Sequence, residues 1–350
     1  MPRYLTKSRF KLGYECPTKL FNTGKADQTA DASLDDPFLQ GLAEGGFQVG
    51  ELARLRLCDN PAADVVRTLD SNEAIAETAR RMEAATVTVA EAAFRAGNLF
   101  IRSDMVRKRG SAIELYEVKS ASWSRDDGFW QARHADQLVA EWEDAVLDVA
   151  FQAHVIRRAC PGMAVTPFLV LMDRDREATV DGLNQLFKVV SRDGRKQVQV
   201  DPGTTPAQLG ADILATINVD ADVRKVWALK FRLDGTEEPL GFEPLVRKLA
   251  SLHESGRRGF CGVGKKCKRC EFTYSSDAAR RQDQVRRGLK SGRNECWAQA
   301  TGQPPDPEEL ADEEPAESAG VGRRLRLGPV QVRQGRQDLG LGETPLDKAT

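Results

Sequence analysis

Asp104, Glu117 and Lys119, in the stretch FIRSDMVRKRGSAIELYEVKSA, are spaced so that a strand hairpin gathers them on one face. Counting outward from a turn centred between Gly110 and Ser111, residue 104 falls opposite residue 117, and opposite residues of an antiparallel pair share a face. Glu117 and Lys119 are two apart, so the period of a strand sends both side chains that way and Val118 the other. Two carboxylates and an ammonium suit hydrolysis of a phosphodiester. Hard cations such as Mg²⁺ and Mn²⁺ take carboxylate, carbonyl and water oxygens, so Asp104 and Glu117 are the expected ligands, with the Val118 carbonyl a third. A cation held there acidifies water and neutralises phosphate charge. Lys119 is expected to orient that water or assist its deprotonation, with a pKa lowered by burial. The competing reading is the solvated face of a sheet edge, because E-x-K is common. The Asp at the pairing position and the apolar neighbours Phe100, Ile101, Leu115 and Val118 favour a site.

Seven cysteines scattered over 350 residues point to free thiols or metal ligands rather than a disulfide framework. CKRC sets Cys267 and Cys270 three apart, a clamp that supplies half of a tetrahedral site. Cys296, in GRNECW, is the natural third ligand. Cys16, in KLGYECPTKLF, is the expected fourth, with Cys261 competing for a place. Four thiolates hold Zn²⁺ or an iron–sulfur cluster, and spacing does not choose between them; unrelated reduced thiols in a basic loop are the alternative. Cys58 and Cys160, among apolar neighbours, read as small core residues. His134, His154 and His253 have no partner at metal-ligand spacing and read as surface or core-edge residues.

The elements that must position these groups are legible in outline. Thr6 or Ser8 caps a short helix leading to Cys16-Pro17, Pro37 to Leu57 is mostly helical, and a second helix covers roughly 62 to 84. TVTVAEAAF, NLFIRSDMV and AIELYEVKSA read as three strands. An amphipathic helix from about 135 to 159 and a buried strand from Val165 to Asp173 complete an α/β core. Residues 174 to 240 mix short elements, and Phe242 to Ser255 is helical.

A hydrophobic fraction of 41% and a charged fraction of 29% are those of a soluble globular protein. No run of about 18 apolar residues exists to span a membrane, and MPRYLTKSRF lacks the apolar core of a signal peptide, so the expected location is cytoplasmic with no membrane partner. The net charge of −1 hides a local asymmetry: Arg257 to Arg293 holds twelve Lys or Arg against three acids, and Asp306 to Glu317 seven acids and no base. The basic block, including Lys265, Lys266, Lys268, Arg269, Arg280, Arg281, Arg286, Arg287, Lys290 and Arg293, suits salt-dependent phosphate contacts. Phe272, Tyr274 and Trp297 would stack bases if exposed. Residues 303–350, Pro- and acid-rich and without aromatics, read as a disordered tail behind a domain spanning 1–302.

LTKSRFKLGYECPTKLF, EGGFQVGELA, FIRSD, YEVKSAS, DVAFQ and the CKRCEF to ECW segment together resemble a bacterial family of PD-(D/E)XK nucleases with an N-terminal cysteine and a C-terminal cysteine trio. That family is similar to the CRISPR-associated RecB-like exonucleases and the nuclease module of the AddAB helicase-nuclease. The resemblance covers about residues 4 to 300. It implies a restriction-endonuclease-like core, a mixed sheet flanked by helices, with a cysteine-held C-terminal lobe and a [4Fe-4S] cluster joining the chain ends. It further implies Asp104 and Glu117 as metal carboxylates, Lys119 as the catalytic lysine, Gln152 as the helix-motif glutamine that positions substrate or lysine, and Glu51 as an acid completing the metal shell. Cys16, Cys267, Cys270 and Cys296 would hold the cluster, leaving Cys261 as an extra. Three features depart from the pattern: Ser103 replaces the usual proline, Ile156 stands where the Q-x-x-x-Y motif has its aromatic hydroxyl, and the tail replaces a further domain.

The leading expectation is therefore a Mg²⁺- or Mn²⁺-dependent deoxyribonuclease, an exonuclease on single-stranded ends, working in DNA repair or mobile-element defence beside helicase or repair proteins. The alternatives are a non-catalytic nucleic-acid binder with a zinc or iron–sulfur site and an inactive fragment of a larger nuclease.

Overall fold

A computed structural model of the chain describes residues 3–35, 37–61, 63–192, 195–201, 203–233, 236 and 238–302. The tail expected to be disordered, 303–350, lies outside the described residues. In chain order the elements are α1 (Lys7–Glu15), α2 (Pro17–Asn22), α3 (Pro37–Leu57), α4 (Ser71–Arg81), β1 (Thr86–Ala96), β2 (Leu99–Arg109), β3 (Ala112–Trp123), α5 (Ala140–Ala159) and β4 (Ala164–Asp173). The second half adds β5 (Lys188–Arg192), β6 (Arg195–Gln199), β7 (Leu214–Asn218), α6 (Asp220–Ala228), β8 (Lys230–Phe231), β9 (Leu240–Gly241), α7 (Phe242–Ser255), α8 (Ala278–Arg286) and α9 (Gly292–Thr301).

The architecture is mixed α/β. Five strands pair in the order β1-β2-β3-β4-β7. β1, β2 and β3 form an antiparallel meander, β3 and β4 run parallel, and β7 returns antiparallel to β4. The β2–β3 connection is the two residues Gly110-Ser111, with Gly110 at φ +57° as a tight hairpin turn requires. A parallel neighbour needs a crossover, and α5 is that crossover between β3 and β4.

Both faces of the sheet are covered, which explains the near-continuous apolar run of β4. Ile113 and Leu115 of β3 and Leu169 and Leu171 of β4 pack in the core with α5, whereas Met105, Tyr116 and Val170 pack on the other face with Leu52 and Ala53 of α3. That alternation sends Glu117 toward α5 and Val118 toward α3.

Two helices differ from expectation. α5 begins at Ala140 and is buried nearly all round, from Trp142 to Ile156, instead of presenting one polar face. It lies between the sheet and an outer layer of helices: Phe151 stacks on Phe10 of α1 at 5.0 Å, and Trp227 of α6 donates to the Ala150 carbonyl at 3.2 Å. The helix expected from 62 is confined to α4. Val65 instead bridges in parallel to Ala90 on β1, and Asp70 accepts from the Asn72 and Glu73 N–H groups to start the helix there. Among the described residues no helix is long and apolar enough to cross a membrane.

Candidate active site

β2 and β3 pair in the expected register from Arg109↔Ala112 to Met105↔Tyr116, and the ladder closes there. One step further, at the place expected to set Asp104 against Glu117, a side chain takes over from the backbone: Asp104 Oδ2 accepts from the Val118 N–H at 2.7 Å. Val118 thus gives this fork its N–H. Glu117 is fully buried on the α5 side. Lys119 Nζ lies 2.8 Å from its Oε1, and Gln152 Nε2, on α5, donates to its Oε2 at 2.5 Å. Glu117, Lys119 and Gln152 therefore meet in one bonded group beyond the last β2–β3 pair, and Asp104 is tied to the same place through the Val118 N–H and the field of Glu117.

Three further groups complete this network. Lys7 of α1 sends Nζ to both oxygens of Glu117, at 2.8 and 3.0 Å. Asp148, one helical turn before Gln152, takes Lys119 at 2.6 Å and Lys11 at 3.3 Å on the same Oδ2. The sequence carries a faint signal for them: Lys7 and Lys11 are four apart on one helix, as are Asp148 and Gln152 on another, and such pairs share a face. Glu51, expected to complete the metal shell, spends its carboxylate on Arg54, whose Nε lies 2.9 Å away. Among the described residues it makes no hydrogen bond or ion pair with Asp104, Glu117 or Lys119.

The electrostatics divide the two acids. Burial pushes the Glu117 carboxyl up, but the Lys7 and Lys119 ammonium groups outweigh burial and hold it down to about 2. Burial and the adjacent Glu117 charge push Asp104 up to about 7, against the pull of Lys7 and the Val118 N–H. Lys119 corrects the sequence expectation. Burial works against its charge, yet Glu117 and Asp148 outweigh it and raise its pKa above the ordinary lysine value. With Glu117 and Asp148 beside it, Lys119 is held as an ammonium in this arrangement.

Two buried oxygens beside these charges, Gln152 Oε1 and Asp148 Oδ1, have no hydrogen-bond partner among the described residues. Buried acceptors are ordinarily satisfied, so a pair of orphans at a carboxylate site marks room for a positively polarised ligand. Hard oxygen donors from Asp104 and Glu117, with these acceptors nearby, fit Mg²⁺ or Mn²⁺. Among the described residues no group of three or more His, Cys, Asp or Glu side chains is placed to hold a metal ion, and this covers both the acids here and the cysteines.

Cys16, Cys261, Cys267, Cys270 and Cys296 line a single pocket, bringing the four expected thiol ligands and the fifth cysteine together. Cys16 reaches it because it sits in extended backbone between α1 and α2, with Pro17 opening the second helix. Its Sγ lies 3.1 Å from Cys261 Sγ. Hydrogen bonding to Cys261 draws the Cys16 thiol down to about 6, helped by the Lys19 and Thr18 N–H groups and the Lys266 charge against the effect of burial. Cys267 accepts from the Gly264 N–H and Cys296 from Arg258 Nη2, both at 3.4 Å. Five soft donors around one pocket fit Zn²⁺ or an iron–sulfur cluster.

The segment from Glu15 to Lys19 is fastened to Gly259 and Glu271 beside this pocket by protein contacts. Thr18 Oγ1 donates to the Gly259 carbonyl at 2.5 Å, and a Cβ at Gly259 would fall 2.7 Å from Pro17 Cβ, so only glycine permits the approach. Lys19, nearly buried, pairs with Glu15 at 2.7 Å and Glu271 at 2.6 Å. Cys58, as expected, is a core residue whose thiol burial pushes up to about 11.

Of the aromatic residues in the basic block, Phe272 is buried in the protein and unavailable for stacking on a base, with its Cβ close against Gly292 at the start of α9. Tyr274 donates its hydroxyl to the Leu289 carbonyl at 2.9 Å, and Trp297 is half-buried. Lys265, Lys268, Arg269, Arg280, Arg286 and Arg287 are exposed. His154 packs edge-on to Trp227 and Phe242, His253 is buried, and His134 is exposed, none of them near the acids by any contact among the described residues. No protein-family model and no curated protein matches the chain.

Proposed function

We propose that the chain is a Mg²⁺- or Mn²⁺-dependent deoxyribonuclease with a PD-(D/E)XK-type core, acting as an exonuclease on single-stranded DNA or DNA ends, in DNA repair or mobile-element defence. The observation that carries this reading is the convergence of Asp104, Glu117, Lys119 and Gln152 at the β2–β3 fork, with two unpartnered buried oxygens beside them. Asp104 and Glu117 are the residues that would hold the cation, which when bound supplies Lewis acidity and an acidified water.

The chain's own groups have separable roles. Lys119, kept charged by Glu117 and Asp148, offsets negative charge building on the phosphate and orients the attacking water; it does not remove the proton. Lys7 adds a second positive charge at Glu117. Gln152 fixes the Glu117 carboxylate through its amide, and Asp148 fixes Lys119. The exposed basic side chains between 265 and 287 suit a phosphate backbone without regard to sequence. The thiol pocket suits a [4Fe-4S] cluster, with Zn²⁺ the alternative occupant, in a bracing role beside the joined segments.

Purified protein given labelled single-stranded DNA and Mn²⁺ is expected to degrade it, and Asp104→Ala or Lys119→Ala to abolish the activity. Equal activity in both variants refutes the reading. Salt-sensitive DNA binding with no cleavage under any divalent cation would favour a non-catalytic binder.

A further inference from the structure

Glu91 sits in the interior of β1 at φ +55°, and it alone among the described residues other than glycine has a positive φ. A side chain in that region carries backbone strain that glycine would not, and such strain in a strand persists only where the surroundings enforce it. The β1–β2 ladder shows where the distortion falls. Pairing runs through Ala90↔Met105 and resumes at Ala92↔Ser103, so the residue skipped on β1 is Glu91 and the residue skipped on β2 is Asp104. The strained residue faces the candidate metal carboxylate across the strand pair.

Its side chain stands at the rim of the strand pair, where Arg102 holds it within the field of the site. Ala90 and Ala92 on either side are buried, while the Glu91 side chain is about half exposed, at 49%. Arg102 holds it from the flank, with Nε 3.5 Å from Oε2 and 3.3 Å from the Glu91 carbonyl oxygen, and Arg102 is itself anchored on the Val66 and Thr68 carbonyls. Burial raises the Glu91 pKa, Arg102 and Lys7 oppose it, and Glu117 adds to it. In turn the Glu91 charge adds to the upward push on Asp104. Glu91 thus shares an electrostatic field with Lys7, Asp104 and Glu117. That this field surrounds a ligand position is supported independently by Gln152 Oε1, fully buried at Glu117 and without a partner.

We propose that Glu91 is a third carboxylate of the divalent-cation site, closing it from its solvent-facing mouth in the place that the sequence assigned to Glu51. The inference rests on the reading of Asp104 and Glu117 as cation ligands. It explains why a glutamate occupies a backbone position suited to glycine: the strain aims a carboxylate at the gap opposite Asp104.

The test is Mn²⁺ titration of the full chain by calorimetry, with thermal unfolding of the same samples free of metal. Glu91→Gly and Glu91→Gln are each expected to weaken Mn²⁺ binding roughly tenfold or more, as loss of a group in a metal shell does. Glu91→Gly is expected to melt no lower than the parent, because glycine adopts positive φ without cost, which separates a ligand from a merely structural residue. Asp104→Asn serves as the reference. If it loses Mn²⁺ while both Glu91 variants bind like the parent, the Glu91 assignment is overturned and the site at Asp104 stands. If the parent and Asp104→Asn bind Mn²⁺ indistinguishably, both readings fall.

Discussion

A proton and a bound cation would compete for Asp104, and the surroundings of its carboxyl set the direction of that competition. Burial and the Glu117 charge raise the Asp104 carboxyl to about 7, while Glu117 is held down to about 2 and stays ionised throughout the physiological range. A divalent cation needs the Asp104 carboxylate, so below about pH 7 binding must expel one proton. The fraction of sites already deprotonated then sets the apparent affinity. Taking a single group at 7, Mn²⁺ should bind roughly 25-fold more weakly at about pH 5.5 than at about pH 7.5. Calorimetry in two buffers of different ionisation enthalpy should count about 0.9 proton released near pH 6 and about 0.1 near pH 8. The sign for stability runs the other way. A carboxyl whose folded pKa is raised contributes stability below its ordinary range, and that contribution is lost as pH rises through about 7. The metal-free protein should therefore melt lower at pH 8 than at pH 6, and saturating Mn²⁺, which holds Asp104 ionised at both, should remove the difference. Mn²⁺ affinity that is flat between pH 5.5 and 7.5, or that keeps its pH dependence in Asp104→Asn, would refute this account.

Asp148→Asn removes one of the two acids that keep Lys119 charged, so the alkaline limb of the cleavage profile should move to lower pH and the rate fall about tenfold to a hundredfold. Steady-state kinetics against pH checks both. Lys19→Met leaves Glu15 and Glu271 without their shared cation in a nearly buried setting, and should cost about 2–3 kcal/mol in urea unfolding, less than a fully buried pair because Glu15 is half exposed. Cys16→Ser should abolish the metal content of anaerobically purified protein, read by metal analysis and by absorbance at roughly 400 nm, while Cys58→Ala retains it and loses only about 1 kcal/mol of packing.

The hairpin was legible because its register depends on local chemistry. A two-residue turn at Gly110-Ser111 and alternating apolar residues fix which face each side chain takes, and Glu117 and Val118 separate accordingly. The same holds for α7, whose apolar spacing from Phe242 to Ser255 marks its full length. What escaped is non-local or strained. The ion pair of Lys7 with Glu117 spans 110 positions in sequence and leaves no periodic trace. α5 hides Asp148 because a helix buried on all sides has no polar stripe to read, so a buried acid in it looks like noise in an apolar run. Lys119 was assigned a lowered pKa from burial alone, which is correct for an isolated buried amine and wrong for one that touches two carboxylates. Glu51 was placed by motif position, and its neighbour Arg54, three residues along the same helix, claims it instead.

α1 joins the two candidate sites. The helix is nine residues, about 13 Å long, yet it touches both candidate sites. Lys7 and Lys11, one turn apart, reach Glu117 and Asp148, while Cys16 at its other end enters the thiol pocket. Phe10, on the turn between, is fully buried against Phe151 of α5 and Phe242 of α7 at 5.0 and 5.7 Å. The acid site and the thiol pocket are thus two ends of one element, and the N-terminal sixteen residues supply charge to the first and sulfur to the second.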